Sequence, residues 1–171
     1  IKSGARAVQY ETAIEWLVAS ATVNKCLKVH EGKSPLIAYT DAGSFKIYMG
    51  DTGLLFSRYG IPPEQLLNES PAWQIIKAVL AENHVAASLA ASGYTPYYWE
   101  SAGKAELDFI IQRPNGEIIP IEVKSSEHVR SKSLHLFVSR YSPPMSVRIS
   151  AKNFGFENGI KSVPLYAAFC I

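Results

Sequence analysis

The stretch AELDFIIQRPNGEIIPIEVKSS, residues 105–126, reads as two apolar strands joined by a turn, and it carries Glu106, Asp108, Glu122 and Lys124 inside those strands. Successive side chains of a strand point to opposite faces. Leu107, Phe109 and Ile111 therefore share one face, and Glu106 and Asp108 the other. On the second strand Ile119, Ile121 and Val123 line one face, which leaves Glu122 and Lys124 together opposite them. Pro114, Asn115 and Gly116 suit a reversal. With an odd number of loop residues, Asp108 opposes Glu122 and Glu106 opposes Lys124; an even loop breaks this pairing. In the odd register two carboxylates face each other at roughly 5 Å between Cβ atoms. Their repulsion is on the order of 3 kcal/mol at an effective dielectric of about 20, so a positive charge is expected between them. A hard divalent cation with oxygen ligands meets that need, with Lys124 assisting.

The rest of the 171 residues is of ordinary globular composition, 47% hydrophobic and 19% charged, enough for one substantial core or a domain with a small companion. The formal net charge of +2 neither demands nor excludes a nucleic-acid partner. From residue 104 onward nine Lys and Arg stand against six Asp and Glu, whereas residues 1–103 hold eight against nine. The basic excess thus lies with the charged hairpin and points weakly to an anionic ligand. Cys26 and Cys170 are far apart with no His at metal-ligand spacing, so neither a disulfide framework nor a zinc site is indicated, and a reducing cytoplasm fits. No apolar run is long enough for a membrane helix, so a soluble protein with no membrane partner is expected. The start at Ile1, directly before a helical pattern, suggests a piece of a longer chain.

Along the chain, TAIEWLVAS has helical spacing, VNKCLKVH suits a short strand, and PLIAY and SFKIYM flank Thr40 to Gly43 as an expected hairpin. A helix followed by a small hairpin looks like the end of a winged helix. GDTGLLFSRYG and IPPEQLL read as short helices. Ser70 and Pro71 open a helix that should run to about Ser92 before Gly93. Its apolar stripe is Ile75, Val79, Ala86 and Leu89, and Glu82 falls within it, where a carboxylate needs a partner or a metal. YTPYYWES is an aromatic strand. SKSLHLFVSRY is a helix with Leu134, Phe137, Val138 and Tyr141 inward, and MSVRIS and VPLYAAFCI are closing strands.

A helix with an inward Glu, a strand carrying Asp, a strand carrying Glu-x-Lys and a following helix resembles the layout of the PD-(D/E)XK nuclease superfamily. Taken together, KIYMGDTGLL, AENHVAASL, YYWES, AELDFII, IPIEVKSS and VPLYAAF resemble the uncharacterised C-terminal domain that follows the ATPase domain in prokaryotic AAA-type ATP-binding proteins. The resemblance implies an α/β fold, a mixed sheet flanked by helices as in restriction endonucleases and archaeal Holliday-junction resolvases. Residues 61–171 would form that domain, and residues 1–60 a winged-helix remnant and connecting helix. It also implies that Asp108 and Glu122 bind Mg²⁺ or Mn²⁺, that Glu82 completes the metal's shell, and that Lys124 positions the attacking water and stabilises phosphate charge. No Pro precedes Asp108, so the name-giving dipeptide is absent. No GxxxxGK[ST] occurs either, so ATP enters only through an ATPase domain outside these residues.

The function expected is a metal-dependent nuclease-like module of a larger ATPase, acting on nucleic acid, DNA in the first instance. The alternative is a non-catalytic module that docks nucleic acid or protein and regulates the ATPase. Plainer readings stand beside each residue: Glu106 and Lys124 as a cross-strand ion pair on a wet face, Asp108 and Glu122 as surface charges, Glu82 reaching water at the helix edge. His84, His128 and His135 read as surface or satisfied histidines, and Trp16, Trp73 and Trp99 as core.

Overall fold

The computed structural model describes residues 10–67, 70–101, 105–125 and 132–171. The charged hairpin forms as its pattern predicts: β4 (Ala105–Gln112) and β5 (Ile118–Val123) pair antiparallel across a five-residue loop. In that loop Gly116 takes φ of +87°, a backbone state that side chains with a Cβ resist. The register runs Gln112 to Ile118, Ile111 to Ile119, Ile110 to Pro120 and Phe109 to Ile121. Continued by one step, it sets Asp108 against Glu122, the odd-loop pairing.

Around this hairpin an eight-stranded mixed sheet assembles. The remaining strands are β1 (Val23–Val29), β2 (Thr40–Met49), β3 (Tyr97–Ser101), β6 (Ser146–Ser150), β7 (Gly155–Glu157) and β8 (Ile160–Pro164), and the spatial order is β2-β1-β3-β4-β5-β6-β8-β7. The β1–β3, β5–β6 and β6–β8 pairs are parallel and the others antiparallel. The helices are α1 (Glu11–Ala19), α2 (Thr52–Arg58), α3 (Pro71–Ala91) and α4 (Lys132–Tyr141).

Two helices cover the two faces, and each has its own apolar cluster. α3 sets Ala81, Val85, Ala86 and Leu89 against Phe109, Ile111, Ile119, Ile121, Val147 and Ile149. On the other face α4 sets Leu134 and Phe137 against Trp99, Leu107 and Ile110, with the Trp99 and Phe137 rings edge to face at 5.2 Å. Burying each of these large side chains contributes about 1.5–3 kcal/mol. This is the α/β architecture expected, a mixed sheet between helices.

Several local expectations change. PLIAY is no strand: Leu36–Tyr39 is a 3-10 turn, and Thr40 to Gly43 lie inside one long strand, β2, that pairs with β1. Residues 23–49, expected to carry the tail of a winged helix, thus build two strands of the common sheet. VPLYAAFCI begins as the end of β8 and then turns into a 3-10 segment, Leu165–Cys170, which packs Ala167 and Ala168 under α3. Trp73 and Trp99 are buried, but Trp16 is 73% exposed on a helix with no buried residue. In α3 the start lies outside the main contact: Ile75 is 69% and Val79 40% exposed, and the stripe that meets the sheet begins at Ala81. Gly93, at φ of +83°, ends this helix as expected.

Candidate functional site

The strands carrying the charges are not regular where the charges sit. Between β3 and β4 the register passes from Tyr97 opposite Ile110 to Trp99 opposite Leu107, so two residues of β4, Asp108 and Phe109, face the single Tyr98. This is a β-bulge, a device that re-aims side chains. It overturns the strict alternation read from sequence: Leu107 joins Ile110 in the α4 cluster, while Phe109 and Ile111 join the α3 cluster. Beyond the Phe109–Ile121 pair the Asp108 side chain enters the ladder, and its Oδ2 accepts the backbone N–H of Val123 at 2.7 Å. A carboxylate that takes a ladder donor lies between the strands, so charges on both faces act on it.

Those charges fall into two groups. The first lies under α3. Asn83, 2% exposed, is fully engaged: its Oδ1 accepts Met49 N–H at 2.8 Å, and its Nδ2 donates to Met49 O and to Thr52 Oγ1, both at 3.1 Å. This clamp fixes α3 against the end of β2 and sets Glu82 beside Tyr48 and Lys46. Glu82 Oε1 accepts from Tyr48 OH and from Lys46 Nζ at 3.3 Å, and Lys46 also reaches Glu106 Oε1 at 2.6 Å. Burial works against the Lys46 charge, but Glu106 and Glu82 more than offset it, so its pKa is raised. Burial and then the Glu82 charge push the Tyr48 hydroxyl up as well.

The second group lies at the end of β5. Glu122, 4% exposed, has its Oε1 2.6 Å from Lys124 Nζ, while its Oε2 is buried with no hydrogen-bond partner among the described residues. Lys124 is steadied by its backbone N–H, which donates to Ile149 O at 2.8 Å.

Asp108 stands between the groups. Its pKa is pushed up to about 7, first by burial and then by the Glu122 charge, with Glu82 adding to the rise; the Val123 N–H and Lys124 oppose it. The four residues singled out in the sequence therefore meet around Asp108, but in two sets. Glu106 does not pair with Lys124 as expected; it goes to Lys46, and Lys124 goes to Glu122. Among the described residues no three His, Cys, Asp or Glu side chains form a group able to hold a metal ion. Glu82 stays with Tyr48 and Lys46.

Family comparison adds one finding. The model of a family described as a domain of unknown function, DUF4143, matches residues 77–168, more than half of the chain. The chain belongs to the DUF4143 family. The match to DUF4143 spans Glu82, Asp108, Glu122 and Lys124, and Lys46 and Tyr48 lie before it. No curated protein matches the chain.

Lys46 and Tyr48 went unremarked in the sequence. Their signal was modest: spaced by two in SFKIYM, they share a strand face. His84 is satisfied, its Nε2 3.1 Å from Leu165 O. His128 lies outside the described residues. A cleft of about 480 Å³ lies at the turn end of the hairpin, lined by Pro35, Gly93, Tyr97, Arg113 and Pro114. It contains none of the charged residues above, so size does not select the site. Among the described residues no helix is long and apolar enough to cross a membrane.

Proposed function

We propose that this domain is a metal-dependent phosphodiesterase module acting on nucleic acid, DNA in the first instance, within a larger AAA-type ATPase. The observation that carries the reading is the Asp108–Glu122 pair. One carboxylate is held near pKa 7 by burial and its neighbour's charge, and the other keeps a buried oxygen without a donor. A purely structural strand end gains nothing from such an arrangement. Two carboxylates suit a small hard cation such as Mg²⁺ or Mn²⁺, which commonly takes one or two and keeps several waters. Such an ion, when bound, would polarise a phosphoryl oxygen and make a coordinated water more acidic.

The protein's own residues have distinct parts. Asp108 must lose its proton to serve as a ligand, so binding strengthens as the pH rises through about 7. Val123 N–H fixes the direction of the Asp108 carboxylate. Lys124, held on Glu122, offers a cation to developing phosphate charge. Glu82 bears on the site through its charge on Asp108.

A second reading, a non-catalytic module that docks nucleic acid or protein and regulates the ATPase, is favoured by one fact: Glu82 is already taken up by Tyr48 and Lys46. Incubation of labelled DNA and RNA with the protein in Mn²⁺, beside its Asp108→Asn and Lys124→Met variants, separates the two. The first reading expects cleavage by the wild type alone. Absence of cleavage, with nucleic-acid binding retained, favours the second.

A further inference from the structure

β6 runs parallel to β5, and its register sets Arg148 beside Glu122. Val147 and Ile149 on one side, and Ile121 and Val123 on the other, are all packed into the α3 cluster. Alternation therefore sends Glu122 and Arg148 together to the opposite face, about 5 Å apart across the strands. Two opposite charges so placed would ordinarily pair. Here Glu122 Oε1 is engaged by Lys124, and among the described residues the buried Glu122 Oε2 has no donor and the buried Arg148 Nε no acceptor. A guanidinium stays charged at any ordinary pH, and leaving its inner N–H unmet beneath the surface is costly. The next residue in the same row is Ser162 of β8, the register partner of Arg148. The row Glu122, Arg148, Ser162 thus crosses three parallel strands, and Lys124 flanks its first member.

We propose that Arg148 is a phosphate-binding residue of this site, its guanidinium turning to meet a nucleic-acid phosphodiester next to Glu122. The chemistry is specific. A planar fork with one inner and one outer donor matches two oxygens of a phosphate, whereas a lysine presents a point charge. Glu122 Oε2 on the same face is an acceptor of the same charge as a phosphate and repels it. It is left to a cation, and the arginine receives the anion that the cation would accompany. This inference rests on the proposed function for the class of ligand, but its test does not depend on catalysis.

The test is made in EDTA. The Arg148 side-chain Nε–H signal is followed by nitrogen–proton NMR while inorganic phosphate is added and, separately, a single-stranded DNA oligonucleotide. The expected result is a saturable shift with both, because both offer phosphate oxygens. In parallel, DNA affinity of Arg148→Gln and Arg148→Lys is measured across a salt series. Arg148→Gln should weaken binding about tenfold and lower the slope of log affinity against log salt by about one; Arg148→Lys should keep the slope but lose part of the affinity. An Nε–H signal indifferent to both additives overturns the proposal, and this arm needs no variant to fold. A shift with phosphate but not with DNA overturns the nucleic-acid assignment. Should Mn²⁺ fail to support cleavage while the Arg148 signal still responds to both additives, the catalytic reading falls and this one stands.

Discussion

The carboxylates under α3 and those at the end of β5 carry the same charge and lie on either side of one bulge, yet they are treated in opposite ways. Glu82 Oε1 accepts from both Tyr48 and Lys46, and Lys46 is shared with Glu106. Among the described residues Glu122 has a single partner, Lys124, and a buried oxygen without one; its strand neighbour Arg148 has a buried nitrogen without one. A network whose members satisfy each other stabilises a fold, whereas each unmatched buried member carries a cost that calls for a specific reason. On the proposed function the first group would act as scaffold and the second as receptor, with Asp108 between them.

The largest effect that sharpens this contrast is on pH dependence. The pKa of Asp108 is raised in the folded state from 3.8 to about 7. Between those values the folded protein retains a proton that the unfolded chain has lost, so without divalent ions stability falls as the pH rises from about 4 to 7. The whole shift corresponds to on the order of 4 kcal/mol as an upper bound. Asp108→Asn keeps an oxygen for Val123 N–H and removes the charge. Denaturant unfolding at several pH values in EDTA should show the variant gaining on the wild type across that window. A constant difference would mean that Asp108 ionises as freely as an exposed carboxylate.

Next in size is the scaffold group. Tyr48→Phe removes one donor from Glu82 and leaves Lys46, at an expected cost of about 1–3 kcal/mol. That cost should be unaltered by millimolar Mn²⁺, because Lys46 already sets a positive charge against Glu82. A variant destabilised in EDTA but restored by Mn²⁺ would move Tyr48 into the receptor and break the distinction.

The smallest effect is at Glu106, whose side chain is 47% exposed. Glu106→Gln should change stability by about 0–1 kcal/mol, since Lys46 keeps Glu82. A loss of several kcal/mol would show Glu106, not Tyr48, to be the principal partner in the scaffold.

The sequence displayed much of this. Alternation sorted the charges and left Asp108 opposite Glu122 as one of two possibilities, decided by an odd loop, and the Ser70, Pro71 and Gly93 signals delimited α3 almost to the residue. The bulge was hidden because it arises from how β4 fits the short strand β3 in space, and no Gly or Pro between Leu107 and Ile110 announces it. For the same reason Leu107 was placed on the wrong face and Glu106 with the wrong lysine. The partners of Glu82 were hidden by distance: Lys46 and Tyr48 precede it by more than thirty residues, and only the sheet brings them under α3. Arg148 was in view as the one charge in MSVRIS, but its meaning depends on the parallel neighbour that supplies Glu122.

The central claim is that Asp108 and Glu122 together receive a divalent cation, and thermal melting at pH 8, above the raised pKa of Asp108, tests it most directly. Wild type and Asp108→Asn are each melted in EDTA and in millimolar Mn²⁺. The account predicts that Mn²⁺ raises the wild-type midpoint, by an amount equivalent to about 2.7 kcal/mol at a hundredfold excess over the dissociation constant, and leaves the variant unmoved. It also predicts that in EDTA the variant is at least as stable as the wild type. A wild type indifferent to Mn²⁺, with a variant that melts lower in EDTA, would contradict it and make Asp108 a structural acceptor for Val123.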